Sequence, residues 1–207
     1  MSKALLPVIP ADMEIHPDNR RLGIGRFAEV WLGKWKSKEY ALKQLIRGSG
    51  MNTASFFHES ELISEVNDPG VAKVFFTGIF QGKPTIVTEF IDGVTLAELI
   101  FSPTDLGLQR GVGQKALSYI CEKVGRTLDR IFKYEDLVHR DVKPENIVMR
   151  GLTKQMLEHL ADEFDKDCVP EEILDPVLVD FNLAHTCLLY TSPSPRDRTR
   201  SRMPSSA

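Results

Sequence analysis

Cysteine is scarce in this chain of 207 residues: there are three, Cys121, Cys168 and Cys187, with no CxxC pair and no histidine at metal-ligand spacing. That excludes a disulfide framework and a zinc knuckle, and the thiols read as buried or free in a reducing compartment. An intracellular, cytoplasmic location is therefore expected. No run of about 18 apolar residues occurs, so no membrane span is expected. The opening stretch Met1–Asp18 has its apolar run broken by Pro7 and Pro10, so it is not expected to act as a signal peptide. Charge of one sign is also missing, since the formal net charge is only −3. Residues 187–207 hold four arginines and one aspartate, so the preceding part carries 22 basic and 28 acidic groups. A body without a basic footprint argues against nucleic acid or an anionic membrane as the main partner. No internal repeat is visible.

What is present suits one good-sized core, or a small domain with part of a second, at 42% hydrophobic composition. Arg20–Ile46 is short-strand text punctuated by glycine and predicts three strands with tight turns, Lys34–Glu39 being the second turn. Ala54–Asp68 carries Phe56, Phe57, Leu62, Ile63 and Val66 at mixed three- and four-residue spacings. This predicts an amphipathic helix ending before Pro69. Two strands follow, Val71–Phe80 and Lys83–Ile91, separated by a turn at Gln81–Lys83. Residues 20–91 thus read β-β-β-α-β-β. Beyond a boundary near Ile91–Gly93 the texture changes. A short helix is predicted over Thr95–Phe101 and a long one over Gln114–Tyr134. The long helix has Ala116, Leu117, Ile120, Val124, Leu128, Ile131 and Phe132 along one face. Short strands at Asn146–Met149 and Val177–Val179 flank a charged segment.

Three stretches carry chemistry. Gly23–Val30, "GIGRFAEV", lies between two strands and not before a helix, which excludes a dinucleotide-binding turn. Glycines in such a hairpin permit close approach of a phosphate, or simply make a turn. Lys43 is a cation in an apolar strand; it is either an edge lysine or a buried one that needs a partner, which Glu59 on the following helix can supply. The third stretch, His139–Met149, "HRDVKPENIVM", is sharper. It sets Asp141, Lys143 and Asn146 in one loop before a strand: a carboxylate to accept a hydroxyl proton, an ammonium to face a phosphate, and an amide oxygen for a hard cation. Asp180, at the end of the apolar run Val177–Val179, adds a second oxygen ligand. Such an assembly is suited to phosphoryl transfer, where catalysis is mostly positioning and charge neutralisation.

These motifs, in this order over about Arg20–His185, resemble the eukaryotic-type serine/threonine protein kinase family. The resemblance implies an α+β, bilobal protein-kinase-like fold. Residues 20–91 would form a complete N-lobe, a five-stranded antiparallel sheet plus one helix, preceded by an N-terminal extension over 1–19. Residues 92–186 would form a partial, mainly α C-lobe. It implies ATP and Mg²⁺ as cofactors and protein serine or threonine hydroxyls as substrates. Gly23 and Gly25 belong to the glycine-rich loop, and Leu22, Val30, Ala41 and Val148 sandwich adenine. Thr88 would be the gatekeeper, and Glu89 and Ile91 would offer hinge backbone groups. Lys43 would hold the α- and β-phosphates and pair with Glu59, chosen over Glu61 and Glu65 because it stands ten residues before Pro69, the spacing the family has from that glutamate to the loop proline. By the same resemblance Asp141 would be the catalytic base, Lys143 would contact the γ-phosphate, and Asn146 and Asp180 would be the Mg²⁺ ligands. Ile63, Val74, His139 and Phe181 stack as the regulatory spine. Lys143 within "RDVKPEN" resembles the serine/threonine branch.

The pattern departs from the family in four places. The third glycine of the loop is Ala28, which implies a stiffer loop. Asn182 stands where glycine usually follows Asp-Phe, and asparagine is among the residues best able to take positive φ. Residues of about 150–176 read as an acidic insertion between the two catalytic strands, solvated or partner-docking. Finally, residues 187–207, "CLLYTSPSPRDRTRSRMPSSA", resemble one reading frame of a transposase sequencing adaptor, so the kinase text is expected to end near His185 and the chain by itself to be inactive. The alternative to a transferring kinase is a pseudokinase or ATP-binding scaffold module, favoured only by Asn182 and Ala28. A small-molecule kinase of related fold is disfavoured by "HRDVKPEN".

Overall fold

A computed structural model describes residues 6–106, 112–157, 173–181 and 184–186, with the backbone alone at Glu59, His185 and Thr186. The charged segment over 158–172, Asn182 and residues 187–207 lie outside the described residues.

The first sheet is built from β1 (Glu14–Ile15), β2 (Arg21–Ile24), β3 (Ala28–Trp35), β4 (Lys38–Leu45), β5 (Val74–Phe80) and β6 (Lys83–Glu89). Its order is β1-β3-β4-β6-β5, with β2 also pairing β3, and every pairing is antiparallel. The five strands predicted from the sequence are present. The sixth, β1, comes from the N-terminal extension, where Glu14 and Ile15 pair Lys34 and Gly33. Two residues are too few to show an alternation, so nothing local announces this strand.

Period-two alternation assigns the two faces. The register Val30↔Lys43, Ala41↔Thr88 and Lys43↔Ile86 places those five side chains on one face. There Ala28, Leu45, Phe56 and Ile86 make a small core against α1 (Thr53–Ile63). Tyr40, Leu42 and Val87 point the other way and are covered by Ile9 and Met13 of the N-terminal extension, with Trp35 and Phe76 beside them. Asp12 reinforces this cover by accepting a hydrogen bond from Trp35 Nε1 at 2.8 Å. At the sheet edge Thr77 donates to Pro7. The extension is thus a structural layer of the sheet.

Helix α1 starts at an Asn52 cap, whose side chain accepts the Ser55 N–H at 2.8 Å. It stops at Ile63, short of the predicted end, because Val66 turns into the core as the chain heads for Pro69. A second sheet joins β7 (Gly93–Thr95), β9 (Ile147–Arg150) and β10 (Pro176–Leu178) in the order β10-β9-β7. Gly93 opposes Arg150, and a Cβ there would lie 1.9 Å from the Met149 carbonyl oxygen. Helix α2 (Leu96–Phe101) opens with a reciprocal capping box between Thr95 and Glu98. Helix α3 (Gln114–Glu135) ends on Asp136, which takes the left-handed conformation. Of its predicted apolar face, Ala116, Ile120, Val124 and Ile131 are buried, while Leu117 and Phe132 are exposed. A two-stranded pair of β8 (Leu137–Val138) and β11 (His185–Thr186) completes the described structure.

Ile120, Ile131, Leu137, Met149 and Phe181 share one core with Ile63 and Val66 of the first lobe. The loop after β8 and the segment from β10 to Asp180 therefore sit on packed apolar side chains.

Candidate active site

Two polar groups lie beside each other next to this core. The first lies in the loop after β8. Asp141 Oδ2 accepts from Lys143 Nζ at 2.8 Å, and Asn146 Nδ2 donates to both the Asp141 carbonyl (2.9 Å) and Oδ2 (3.0 Å). The loop holds because a 3₁₀ turn over Pro144–Asn146 closes it, Asn146 N donating to Lys143 O. Both contacts from Asn146 use its NH₂ group, so the amide oxygen is the atom left as a cation donor. The Lys143 ammonium, helped by the Asn146 amide, holds the Asp141 carboxyl below the usual carboxylate range against the opposing effect of burial. Asp141 in turn raises Lys143, with the Asp180 charge adding to the effect.

The second group pairs Lys43 with Asp180, Nζ to Oδ1 at 2.7 Å. Lys43 is only 7% exposed, whereas a third of the Asp180 carboxylate meets solvent. The two groups are tied by one backbone bond, Val179 N to Asn146 O at 3.0 Å. Arg140 (φ 64°) and Asp180 (φ 62°) both take left-handed backbone that non-glycine residues seldom adopt. Strain of this kind persists only where the surroundings enforce it.

His139 provides part of that enforcement. Its ring is buried, Nδ1 accepts the Asp141 N–H at 3.2 Å, and Nε2 stands 3.3 Å from the Val179 carbonyl. An acceptor at Nδ1 and a donor at Nε2 describe the neutral tautomer. Burial lowers the ring's pKa below the ordinary imidazole value, in keeping with that assignment. Phe181 lies against it with ring centroids 4.3 Å apart. Ile63 and Phe181 belong to the same core, with Val74 packed against it, so the four predicted spine residues converge.

Of the predicted adenine-contacting residues, Val30, Ala41 and Thr88 share the face of the first sheet that carries Lys43, whereas Val148 lies in β9 of the second sheet. Leu22, Val30, Ala41 and Val148 are each half-buried. Val148 packs with buried Ile91, Ala72 and Val177. Thr88 opposes Ala41 at the end of β6. Glu89 donates its N–H to Lys73 O, and its carboxylate stands 3.4 Å from Arg150 Nη2. Gly23 and Gly25 are exposed, and a Cβ on Gly23 would meet nothing within 4 Å. Ala28, in the third glycine position, is instead a core residue packed with Leu45, Phe56 and Ile86. The predicted partner of Lys43, Glu59, lies on α1, but its side chain is outside the described residues, as is Asn182.

Sequence reasoning missed a second tie between the lobes. Asp68, just after α1, accepts from Arg130 on α3 at 2.5 and 2.9 Å. The two stand 62 positions apart, and no spacing signals such a pair.

Among the described residues no cluster of three His, Cys, Asp or Glu side chains could hold a metal. One carboxylate and one amide oxygen, Asp180 and Asn146, do suit a magnesium-type ion that takes its other ligands from water and phosphate. No described helix is long and apolar enough to cross a membrane.

Comparison with known proteins agrees with this geometry. The sequence model of the family described as "Protein kinase domain" matches residues 17–162. A "Probable LRR receptor-like serine/threonine-protein kinase" of Arabidopsis thaliana is 32% identical over 147 residues, covering 69% of this chain and 15% of the relative. "Tyrosine protein-kinase src-1" of Caenorhabditis elegans is 29% identical over 137 residues, 63% of this chain and 23% of the relative. "Serine/threonine-protein kinase PknD" of Chlamydia felis is 27% identical over 169 residues, 75% of this chain and 18% of the relative. The chain thus spans less than a quarter of the length of these curated relatives. The match across most of the lobe sheet and the catalytic loop identifies the chain as a member of the eukaryotic-type protein kinase domain family.

Proposed function

We propose that this chain carries the nucleotide-binding and catalytic residues of a serine/threonine protein kinase, which transfers the γ-phosphoryl group of ATP to a protein hydroxyl. The observation that carries the reading is the Lys43–Asp180 contact of 2.7 Å set beside the Asp141–Lys143–Asn146 loop. In this reading adenine enters between Leu22, Val30 and Ala41 above and Val148 below, past Thr88. The backbone of Glu89 and Ile91 meets its edge. Gly23 leaves room for phosphate, because among the described residues nothing stands within 4 Å of where its Cβ would be. Lys43 holds the α- and β-phosphates, and Glu59 supports Lys43 from α1.

Asn146 and Asp180 would hold Mg²⁺, which when bound neutralises phosphate charge. The substrate hydroxyl oxygen bonds to the γ-phosphorus as the bond to the β,γ-bridging oxygen breaks. ADP leaves with that electron pair. Asp141 receives the hydroxyl proton, and its depressed pKa keeps it ionised and ready to accept hydrogen bonds at neutral pH. Lys143 faces the transferred group. Serine or threonine is favoured as the acceptor by Lys143 in the loop and by the names of two of the relatives above, while the third is a tyrosine kinase. A cytoplasmic location and a protein substrate follow from the same reading.

The test is titration with a fluorescent ATP analogue, in magnesium and in EDTA, followed by phosphate transfer to a peptide mixture. The expected result is magnesium-dependent binding that is lost in Lys43→Met and Asp180→Asn. No binding under either condition would sink the reading. Binding with transfer absent from any longer form of the protein, and unaltered by Asp141→Asn, would favour the scaffold alternative.

A further inference from the structure

The loop between α1 and β5 is fixed to α3 by a partly buried fork. Asp68 Oδ2 accepts from Arg130 Nε at 2.5 Å, and Oδ1 accepts from Arg130 Nη2 at 2.9 Å. Oδ1 also takes the Gly70 N–H at 2.9 Å, and Arg130 Nη2 reaches Thr127 Oγ1 at 3.1 Å. Each carboxylate oxygen is thus satisfied, in the planar two-point geometry that only arginine offers. The guanidinium holds the Asp68 carboxyl below its usual range, against the opposing effect of burial. Behind the fork there is no slack. A Cβ on Gly70 would stand 2.2 Å from Thr127 Oγ1, so the loop backbone lies directly on the helix.

The same few residues are bonded to the strand that delivers Asp180. Gly70 O accepts the Leu178 N–H at 2.8 Å, and Ala72 N donates to Leu178 O at 3.0 Å. Val71 and Leu178 form a parallel bridge. On its other edge β10 pairs β9, and Val179 N donates to Asn146 O. The backbone leading into Asp180 is therefore held from two sides. One side is the catalytic loop's own strand, and the other is the Asp68–Gly70 loop. Asp180 sits at a φ of 62°, a conformation that relaxes unless both sides hold.

We infer that the Asp68–Arg130 fork positions Asp180: it fixes the Gly70–Ala72 loop on α3, and the loop fixes Leu178, two residues before the carboxylate. Neither fork residue touches the nucleotide in the proposed reading, so both are positioning residues. The Arg130 side chain keeps 42% of its surface exposed, so the pair by itself contributes little to stability. What the fork adds is a single register and orientation. The inference rests on the proposed role of Asp180 in binding magnesium with ATP.

The test uses the full chain with Arg130→Met and, as the milder change, Arg130→Lys, which keeps the charge and loses the fork. Met13→Ala, on the far face of the first sheet, serves as a control that lowers stability alone. Two quantities are read: hydrogen exchange at the Leu178 amide without nucleotide, and the ratio of affinities for the fluorescent ATP analogue in magnesium and in EDTA. Supporting residues around a metal ligand typically carry about tenfold in metal affinity, so the ratio should fall about tenfold in Arg130→Met. Arg130→Lys should lose a smaller part, affinity in EDTA should stay, and Leu178 should exchange faster in both variants. Met13→Ala should change neither quantity beyond its global stability effect. If Arg130→Met does not fold, Arg130→Lys decides. A magnesium-dependent wild type whose folded variants keep both the ratio and the Leu178 protection overturns this inference alone. A wild type whose binding ignores magnesium overturns the proposed function, and the inference with it.

Discussion

Lys43 and Asp180 stand 137 positions apart, and their charged atoms meet at 2.7 Å. The contact joins the first sheet to the strand end beyond the catalytic loop. Each residue is held by a separate element, so the pair reports whether the two lobes are in register. Lys43→Met should reduce magnesium-dependent ATP affinity at least tenfold, read by titration of the fluorescent analogue. The fold should lose only about 1 kcal/mol, because Asp180 keeps a third of its surface in solvent and its lone charge can be hydrated.

The charge pair inside the catalytic loop makes a more local prediction. Lys143 is the largest influence lowering Asp141. In Lys143→Met the Asp141 carboxyl should titrate at higher pH than in the wild type, seen by carbon-13 NMR of the labelled carboxylate. An unchanged titration would remove Lys143 from that role.

Stability should fall on acidification in two stages. His139 has its pKa lowered in the fold by burial, so its neutral form is the folded one. Its contribution is complete above the unfolded value of 6.5 and is lost as pH falls from there toward the lowered folded value. Asp68, Asp141 and Glu29 are also lowered, from unfolded values of 3.8, 3.8 and 4.5. Their contributions hold above those values and disappear as pH drops through the lower folded ones. Urea midpoints measured from pH 8 to pH 3 should show both stages, and His139→Phe should erase the first.

Two glycines can be compared directly. A Cβ on Gly93 meets the Met149 carbonyl oxygen at 1.9 Å, which is backbone in a paired strand. A Cβ on Gly33 meets Leu42 Cδ1 at the same 1.9 Å, the tip of a side chain. Gly33→Ala should therefore cost about 1–2 kcal/mol as Leu42 shifts, and Gly93→Ala about 3 kcal/mol or more. Urea unfolding with unchanged m-values would measure both.

The cover over the outer sheet face should show in stability alone. Met13 is 3% exposed against Tyr40, Leu42 and Val87. Met13→Ala should cost about 2–3 kcal/mol by urea unfolding, with nucleotide affinity unchanged.

Strands β2 to β6 and helix α3 lie where glycine punctuation and the apolar spacing put them, so most of the first lobe is legible in the amino-acid sequence. Asp141, Lys143 and Asn146 share one hydrogen-bonded loop before β9 as expected, because that chemistry is local: the three are within five positions of each other. The features that the sequence conceals depend on long-range pairing. Ile9 and Met13 look like part of an irregular leader until the sheet face that needs them exists. Asp68 and Arg130 each look like ordinary surface charges, and only the docking of the loop on α3 makes them partners. Thr127 likewise breaks the apolar stripe of α3 by type, yet it is buried because Gly70 lies on it.

The cover of the first sheet separates two boundaries that are commonly treated as one. The stretch recognisable by family resemblance begins at residue 17, whereas Pro7, Ile9, Asp12 and Met13 already contribute hydrogen bonds and buried surface. A fragment trimmed to the recognisable start would keep the residues of the site and shed the layer beneath Trp35 and Phe76. Inheritance and cooperative folding therefore draw different edges on this molecule, and a fragment meant to behave as a folding unit must follow the second.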